Sequence, residues 1–138
     1  MKLMVELPVR QGDCYGSGEW DAPRGDKTHK AIDYECEPGL IVLSPIIGKV
    51  SKLGICYSDD LSFRYVEVTD YKQFRHRFFY VIPMVSGGDS VAVGQRLGRA
   101  DDLRRRYPRD DDHSSAITNH IHYEIISPSG GYINPESR

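Results

Sequence analysis

The apolar positions of the chain fall in short runs, and glycine, proline or aspartate breaks each one before a helix could establish itself. Residues 63–69 read Phe-Arg-Tyr-Val-Glu-Val-Thr, a partial alternation rich in β-branched and aromatic side chains that predicts a strand with one buried face. Residues 2–9 give a first strand, closed by Gln11-Gly12. Residues 40–43 give a short one that breaks at Ser44-Pro45, and 46–53 resume it through Gly48, a bend or a close backbone approach. Residues 75–82 are aromatic and end at Pro83. Residues 90–97 are entered through a Gly87-Gly88-Asp89 turn, and 121–126 form the last clear strand before a turn at 128–131 and a Tyr132-Ile133 tail. Residues 12–39 are rich in Gly, Pro and Asp without periodicity, and predict one long ordered loop or two shorter ones; a loop of that length in a compact domain tends to carry function. Only residues 101–107 suit a helix, of one or two turns, with its Asp pair early and its Arg run late. Many short strands and little else predict an all-β barrel or sandwich.

Composition narrows the class. A length of 138 residues suits one domain over 1–138, and 39% hydrophobic residues argue against disorder. No run approaches the roughly 18 apolar residues that span a bilayer. The balance of 18 Lys+Arg against 20 Asp+Glu gives a net charge of -2, which argues against a basic nucleic-acid binder. Arg104 to Arg106 and the following Asp110 to Asp112 read as a solvated loop of mixed charge. The three cysteines, Cys14, Cys36 and Cys56, make no CxxC pair. They read as buried free thiols in a reducing compartment, or as one optional disulfide with a thiol left over. The first residues lack the basic, apolar and small-residue succession of a signal peptide, so the chain is expected to be cytoplasmic as synthesised.

Two histidine patterns carry candidate chemistry. His29-Lys-Ala-Ile-Asp33 lies in the irregular region, and His120-Ile-His122 enters the last strand. On a strand, residues two apart share a face, so His120, His122 and Glu124 point one way while Ile121, Tyr123 and Ile125 point the other. An unpaired row of His, His and Glu is costly to bury. A cleft with metal or water satisfies it, and so does a hydrogen-bonded histidine pair. Zinc favours His nitrogen with carboxylate oxygen, and a catalytic site keeps an open position beside three protein ligands. His29 and Asp33 from one turn and His122 from a facing strand would supply such a set, with His120 free for acid–base work. The alternative for HxxxD is an exposed histidine beside a turn aspartate. The Gly12 to Gly18 run lacks the Gly-Lys-Ser/Thr of a phosphate loop. Ser114-Ser115 beside His113 lack a nucleophile elbow, and Asp33, Glu35 and Glu37 do not follow an EF-hand pattern. Trp20, Tyr15 and Tyr34 could line a groove or simply pack, and His76, between Arg75 and Arg77, reads as an exposed strand residue.

The blocks stand in an order that resembles the LytM and lysostaphin type of zinc metallopeptidase domain, which cleaves peptide bonds of bacterial peptidoglycan. The similarity runs from about residue 24 to 135. It comprises His29-x-x-x-Asp33, the Pro38-Gly39 to Gly48-Lys-Val50 block, the Gly88-Asp89 to Gly98 block, His120-Ile-His122-Tyr-Glu124 and Asn134-Pro135. This resemblance implies an all-β fold of the duplicated hybrid motif type, an antiparallel sheet or sandwich with a groove. It implies Zn²⁺ on His29, Asp33 and His122, with His120 catalytic. Where the family places a further catalytic histidine, in Tyr-x-His-Leu, this chain reads Phe78-Phe79-Tyr80-Val81. Tyr80 therefore takes that place, as in a chemotaxin-2-like branch regarded as signalling rather than peptidase. A phenol of pKa about 10 is a poor base near neutrality but can donate to an oxyanion. Two functions follow from the resemblance. One is an attenuated zinc endopeptidase acting on peptidoglycan peptides. The other is a zinc-containing binding or structural module whose groove holds such peptides or a protein partner. A bacteriophage virion or tail assembly would bring either to the wall without a secretion signal.

Overall fold

The computed structural model describes residues 3–11, 13, 16–24, 27–107 and 117–137, which form twelve strands. They are β1 (Pro23–Arg24), β2 (Lys27–Thr28), β3 (Ile32–Glu35), β4 (Ile41–Leu43), β5 (Gly48–Tyr57) and β6 (Asp60–Thr69). The rest are β7 (Arg75–Phe79), β8 (Val81–Pro83), β9 (Ser90–Val91), β10 (Arg96–Ala100), β11 (His120–Ile126) and β12 (Tyr132–Ile133). A large antiparallel sheet runs in the order β12-β11-β7-β6-β5-β9, with β3 also paired to β11; β4-β10-β8 make a smaller sheet, and β1-β2 a small hairpin. Cys14, Asp110, Asp111, Asp112, His113, Ser114 and Ser115 lie outside the described residues.

The strand period places the core. Ile121, Tyr123 and Ile125 of β11, Phe78 of β7, Val66 and Val68 of β6 and Val50 of β5 pack with Val42, Val81, Leu97 and Ala100 of the smaller sheet. All are buried, and side chains of this kind each contribute roughly 1.5–3 kcal/mol on leaving water. The opposite face of the large sheet curls into a groove whose floor carries His120, His122 and Glu124.

Several sequence expectations change here. Residues 3–9 are not a strand: Met4–Glu6 form a 3₁₀ turn, closed where the Leu3 amide donates to Glu6 Oε1 at 2.8 Å, and only Val9 bridges to Tyr34. The segment 12–39 holds β1, β2 and β3. β3 escapes a pattern search because its alternation, Ile32-Asp33-Tyr34-Glu35, lasts only four residues within a segment otherwise rich in Gly, Pro and Asp. The run 75–82 divides at Tyr80 into β7 and β8, and 90–97 divides around Gly94 (φ 83°) into β9 and β10. The helix reduces to a 3₁₀ turn, Leu103–Arg105, capped by Asp102, which accepts from the Arg104 amide. His76 is buried rather than exposed, with Nε2 at 2.9 Å from Asp70 Oδ2 and Nδ1 at 2.6 Å from the Tyr123 hydroxyl. Cys36 and Cys56 are free, half-buried thiols.

Candidate metal centre

Register brings the two histidine patterns together. β3 pairs with β11 so that Asp33 lies opposite His122, and facing residues of an antiparallel pair share a face. His29 precedes β3 and is fixed by its backbone, its amide donating to Ala22 O and its carbonyl accepting from the Asp21 amide. The histidine and aspartate thus come from a lead-in segment and a strand, not from one turn.

The converging atoms are His29 Nε2, Asp33 Oδ1 and His122 Nδ1. They stand 3.1 Å (His29–Asp33), 3.1 Å (His122–Asp33) and 3.2 Å (His29–His122) apart. Tetrahedral zinc with ligands at about 2.0–2.1 Å requires ligand separations of roughly 3.3–3.4 Å, so the triangle fits with small adjustments. The outer nitrogens support the same reading. His29 Nδ1 lies 3.0 Å from the Glu19 carbonyl and His122 Nε2 lies 3.0 Å from Glu124 Oε1. Both outer partners only accept, so both outer nitrogens carry protons. The inner nitrogens then face each other and a carboxylate oxygen, an arrangement a cation resolves. Without a cation a proton does so. Burial works against charge on His122, but its hydrogen bonds to Asp33 and Glu124 raise its pKa to about 9. Burial would also raise the Asp33 carboxyl, yet hydrogen bonds from His122 and His29 and the nearby His120 hold it well below the usual range. Among the described residues this is the one cluster of His, Cys, Asp or Glu whose ligand atoms converge so closely.

Arg10 completes the support, and nothing in the sequence marks it. Its Nη1 donates to Asp33 Oδ2 at 3.0 Å, while Nε and Nη2 grip both oxygens of Asp13 at 3.0 and 2.7 Å. Asp13 also accepts from the Thr118 amide at 2.9 Å, just before β11. Asp33 is left with one oxygen tied back and the other facing the histidines. Gly18 makes this approach feasible: a Cβ there would stand 2.6 Å from the Cβ atoms of both Arg10 and Asp33. Gly18, the last glycine of the Gly12 to Gly18 run, is therefore a packing position beside the site.

His120 lies beside the cluster. Its Nδ1 donates to Thr118 O at 2.8 Å, and its Nε2 is 3.5 Å from Asp33 Oδ2. Burial pushes its pKa down to about 4 against the pull of Asp33, so the ring is neutral at neutral pH. Tyr80 sits with its ring centroid 5.4 Å from that of His120 and 6.3 Å from that of His122. A regular strand would send Phe79 and Tyr80 to opposite faces. Tyr80 instead adopts φ 71°, rare for a bulky residue, and both rings reach the site. Its amide donates to Arg64 O and its carbonyl accepts from the Asp101 amide, both at 2.9 Å, which holds the unusual backbone in place. The Tyr80 hydroxyl is 3.0 Å from that of Tyr57, which is 2.8 Å from that of Tyr107. Burial, reinforced by these neighbours, raises the Tyr80 phenol well above its ordinary value.

Three histidines, Asp33 and Tyr80 line one cleft of about 270 Å³, bounded by Tyr107 and Ile117. A larger, mainly apolar hollow of about 660 Å³ between Ile47, Thr69, Tyr71 and Val91 lies at the other end of the β5–β6 hairpin, away from these groups.

No protein-family model matches the chain. It is 28% identical over 121 residues to leukocyte cell-derived chemotaxin-2 of Mus musculus, covering 88% of this chain and 75% of that protein. The Bos taurus protein of the same name is 28% identical over 116 residues, 84% of this chain and 72% of the relative. Among solved structures, the catalytic domain of a mutant of the prophage-encoded M23 protein EnpA from Enterococcus faecalis superposes with a TM-score of 0.65 at 19% identity, covering 94% of this chain and 90% of that one. The catalytic domain of the antimicrobial peptidase lysostaphin from Staphylococcus simulans gives 0.64 at 16% identity, covering 97% and 92%. At such identities the likeness is one of architecture: the chain has the all-β, antiparallel, grooved fold of the LytM and lysostaphin type.

Proposed function

We propose that residues 1–138 form one zinc metalloendopeptidase-type domain directed at peptide bonds of bacterial peptidoglycan. His29, Asp33 and His122 hold the metal, and His120 and Tyr80 flank the reacting amide. The observation that carries this reading is the 3.1–3.2 Å triangle of ligand atoms with a neutral His120 alongside. Zinc on these ligands supplies a Lewis acid that polarises a carbonyl and lowers the pKa of a bound water. His120 offers its Nε2 lone pair to the cleft, since Nδ1 is committed to Thr118 O, and so can take a proton from water and return it to the leaving nitrogen. Tyr80 stays a neutral phenol, a hydrogen-bond donor rather than a base. The reading gains support from a structural neighbour named as an antimicrobial peptidase and from the catalytic domain of a prophage-encoded M23 protein, the latter also suiting a virion-associated chain.

A second reading keeps the zinc and gives up turnover: a module that holds peptidoglycan peptides or a protein partner in the groove. Two observations favour it. The Tyr80 hydroxyl is engaged with Tyr57, and the curated relatives are named as chemotaxins. Purified sacculi of several wall types, incubated with zinc-loaded wild type, His120→Ala and Tyr80→His and analysed by mass spectrometry, decide between the two. The enzyme predicts peptide cleavage by wild type that disappears in His120→Ala, and a gain of roughly 10²–10³ in Tyr80→His if an imidazole restores a missing transition-state contact. No cleavage by wild type, with zinc-dependent co-sedimentation of the chain and sacculi, leaves the binding module.

A further inference from the structure

The groove floor beyond His122 is built from rungs of facing residues. The first runs His122, Phe79, Tyr65, Gly54 across β11, β7, β6 and β5; the second, two residues along, runs Glu124, Arg77, Glu67, Lys52. The first rung is aromatic, with Phe79 stacked on Tyr65 at 4.8 Å between centroids and the Tyr65 ring lying across Gly54, where a Cβ would come within 2.1 Å of it.

The second rung is ionic and its hydrogen bonds have a fixed direction. Thr69 Oγ1 donates to Ser51 Oγ at 2.7 Å, and Ser51 donates to Glu67 Oε1 at 2.8 Å. Arg77 Nε donates to the other oxygen of Glu67 at 2.7 Å, while its guanidinium lies 5.3 Å from the Tyr65 ring centroid. Its Nη1 pairs with Glu124 Oε2 at 3.7 Å. The remaining oxygen of Glu124 receives His122 Nε2–H at 3.0 Å. An ionised carboxylate only accepts, so each proton along this line has one place to be, and the His122 proton lies on Nε2.

We infer that Glu124, Arg77 and Glu67 form a positioning array that fixes the tautomer and ring orientation of His122, and so sets how tightly the site holds its metal. Arg77 is the keystone. It neutralises two carboxylates drawn to one rung from the strands on either side of it, and it aims Glu124 at His122. Neither Arg77 nor Glu67 touches the metal site; both act through Glu124. The inference rests on the zinc reading of the cluster.

The test is zinc affinity of the untagged full chain, measured by competition with a chromophoric chelator, for wild type, Glu124→Ala, Arg77→Met, Arg77→Lys and Glu67→Gln. Loss of such outer partners costs roughly 10–100-fold in affinity, and Glu124→Ala is expected in that range. Arg77→Met is expected near the lower end, about tenfold, with Arg77→Lys recovering most of it and the cobalt-substituted absorption spectrum changed in Met but not in Lys. Melting of the metal-free variants separates position from structure: an Arg77→Met chain less stable without metal, yet binding zinc as wild type does, overturns the array. Should Arg77→Met fail to fold, Glu67→Gln still decides: zinc binding several-fold weaker than wild type is expected, and wild-type affinity in a chain whose metal-free melting temperature has fallen overturns the inference. A wild type that takes up no zinc overturns the site reading and the array with it.

Discussion

Arg10 shows what one side chain does to a site that the sequence otherwise announces. His120 and His122 are legible because two imidazoles on one face of a strand are costly to bury unpaired, and His29 and Asp33 because their spacing resembles the ligand pair of the LytM and lysostaphin type. Arg10 is a single guanidinium in an irregular stretch, and its partners are defined only once β3 brings Asp33 to it and the Thr118 amide, just before β11, holds Asp13 beside it. It is 3% exposed and bonded to two buried carboxylates. Removing one member of such a cluster leaves charges buried without compensation, at a cost of roughly 3–5 kcal/mol. Arg10→Met is therefore expected to lose about that much stability in chemical denaturation, with Arg10→Lys intermediate because an ammonium cannot grip Asp13 with two parallel bonds while reaching Asp33. A loss under about 1 kcal/mol for Arg10→Met would show the cluster to be far less coupled than its geometry implies.

Among the elements, those legible in advance alternate in chemistry rather than in exposure: β11 sets His120, His122 and Glu124 against Ile121, Tyr123 and Ile125 although nearly all of it is buried, and β6 carries the partial alternation of residues 63–69. β3 is hidden because its alternation lasts only four residues in a Gly-, Pro- and Asp-rich segment, and the β7–β8 break is hidden because Phe79, Tyr80 and Val81 are all large and apolar, with neither Gly nor Pro at the turn. The smallest residue beside β3 provides the test of this packing. Gly18→Ala puts a methyl carbon where Arg10 and Asp33 already stand, and overpacking of this kind costs about 1–3 kcal/mol. A lower melting temperature is expected, accompanied by weaker zinc binding because Asp33 is displaced. A second element-level device is Asp70, which caps the β6–β7 turn by accepting from the Lys72 and Phe74 amides and also holds His76. Burial would raise its pKa, but the hydrogen bonds from His76 and the two amides outweigh that and lower it. A carboxyl depressed in the folded state stabilises fully above its unfolded value near 4, and that contribution is lost as pH falls through the folded value. Denaturation at pH 7, 5, 4 and 3 should show stability lost on the acid side, with a shallower loss in Asp70→Asn. Parallel acid profiles for the two chains would remove Asp70 from the account.

For the molecule as a whole, the metal reading makes a demand on stability that the polar-cluster alternative does not. His29 and Asp33 lie about ninety residues from His122 in sequence, and the segment that carries them joins the large sheet at its β3–β11 edge. In the unfolded chain these ligands are dispersed, so a metal that binds only the folded form must stabilise it by linkage, about 2.7 kcal/mol at free zinc one hundred times Kd. Calorimetry or circular dichroism with zinc, and again after removal by a chelator confirmed by metal analysis, should give a clear drop in melting temperature. His122→Ala should melt alike in both conditions because a ligand is gone. His120→Ala should retain most of the zinc-dependent shift, since its ring is held by Thr118 outside the ligand triangle. The same measurement read by hydrogen exchange locates the effect: amides of β3 and the 18–22 segment should lose protection first on chelation, while β5 and β6 keep theirs, because β3 depends on β11 and the site whereas the hairpin is anchored in the core. Unchanged melting despite verified metal loss would leave His29, Asp33 and His122 as a hydrogen-bonded cluster satisfied by a proton, and would remove zinc as a structural tie in this fold.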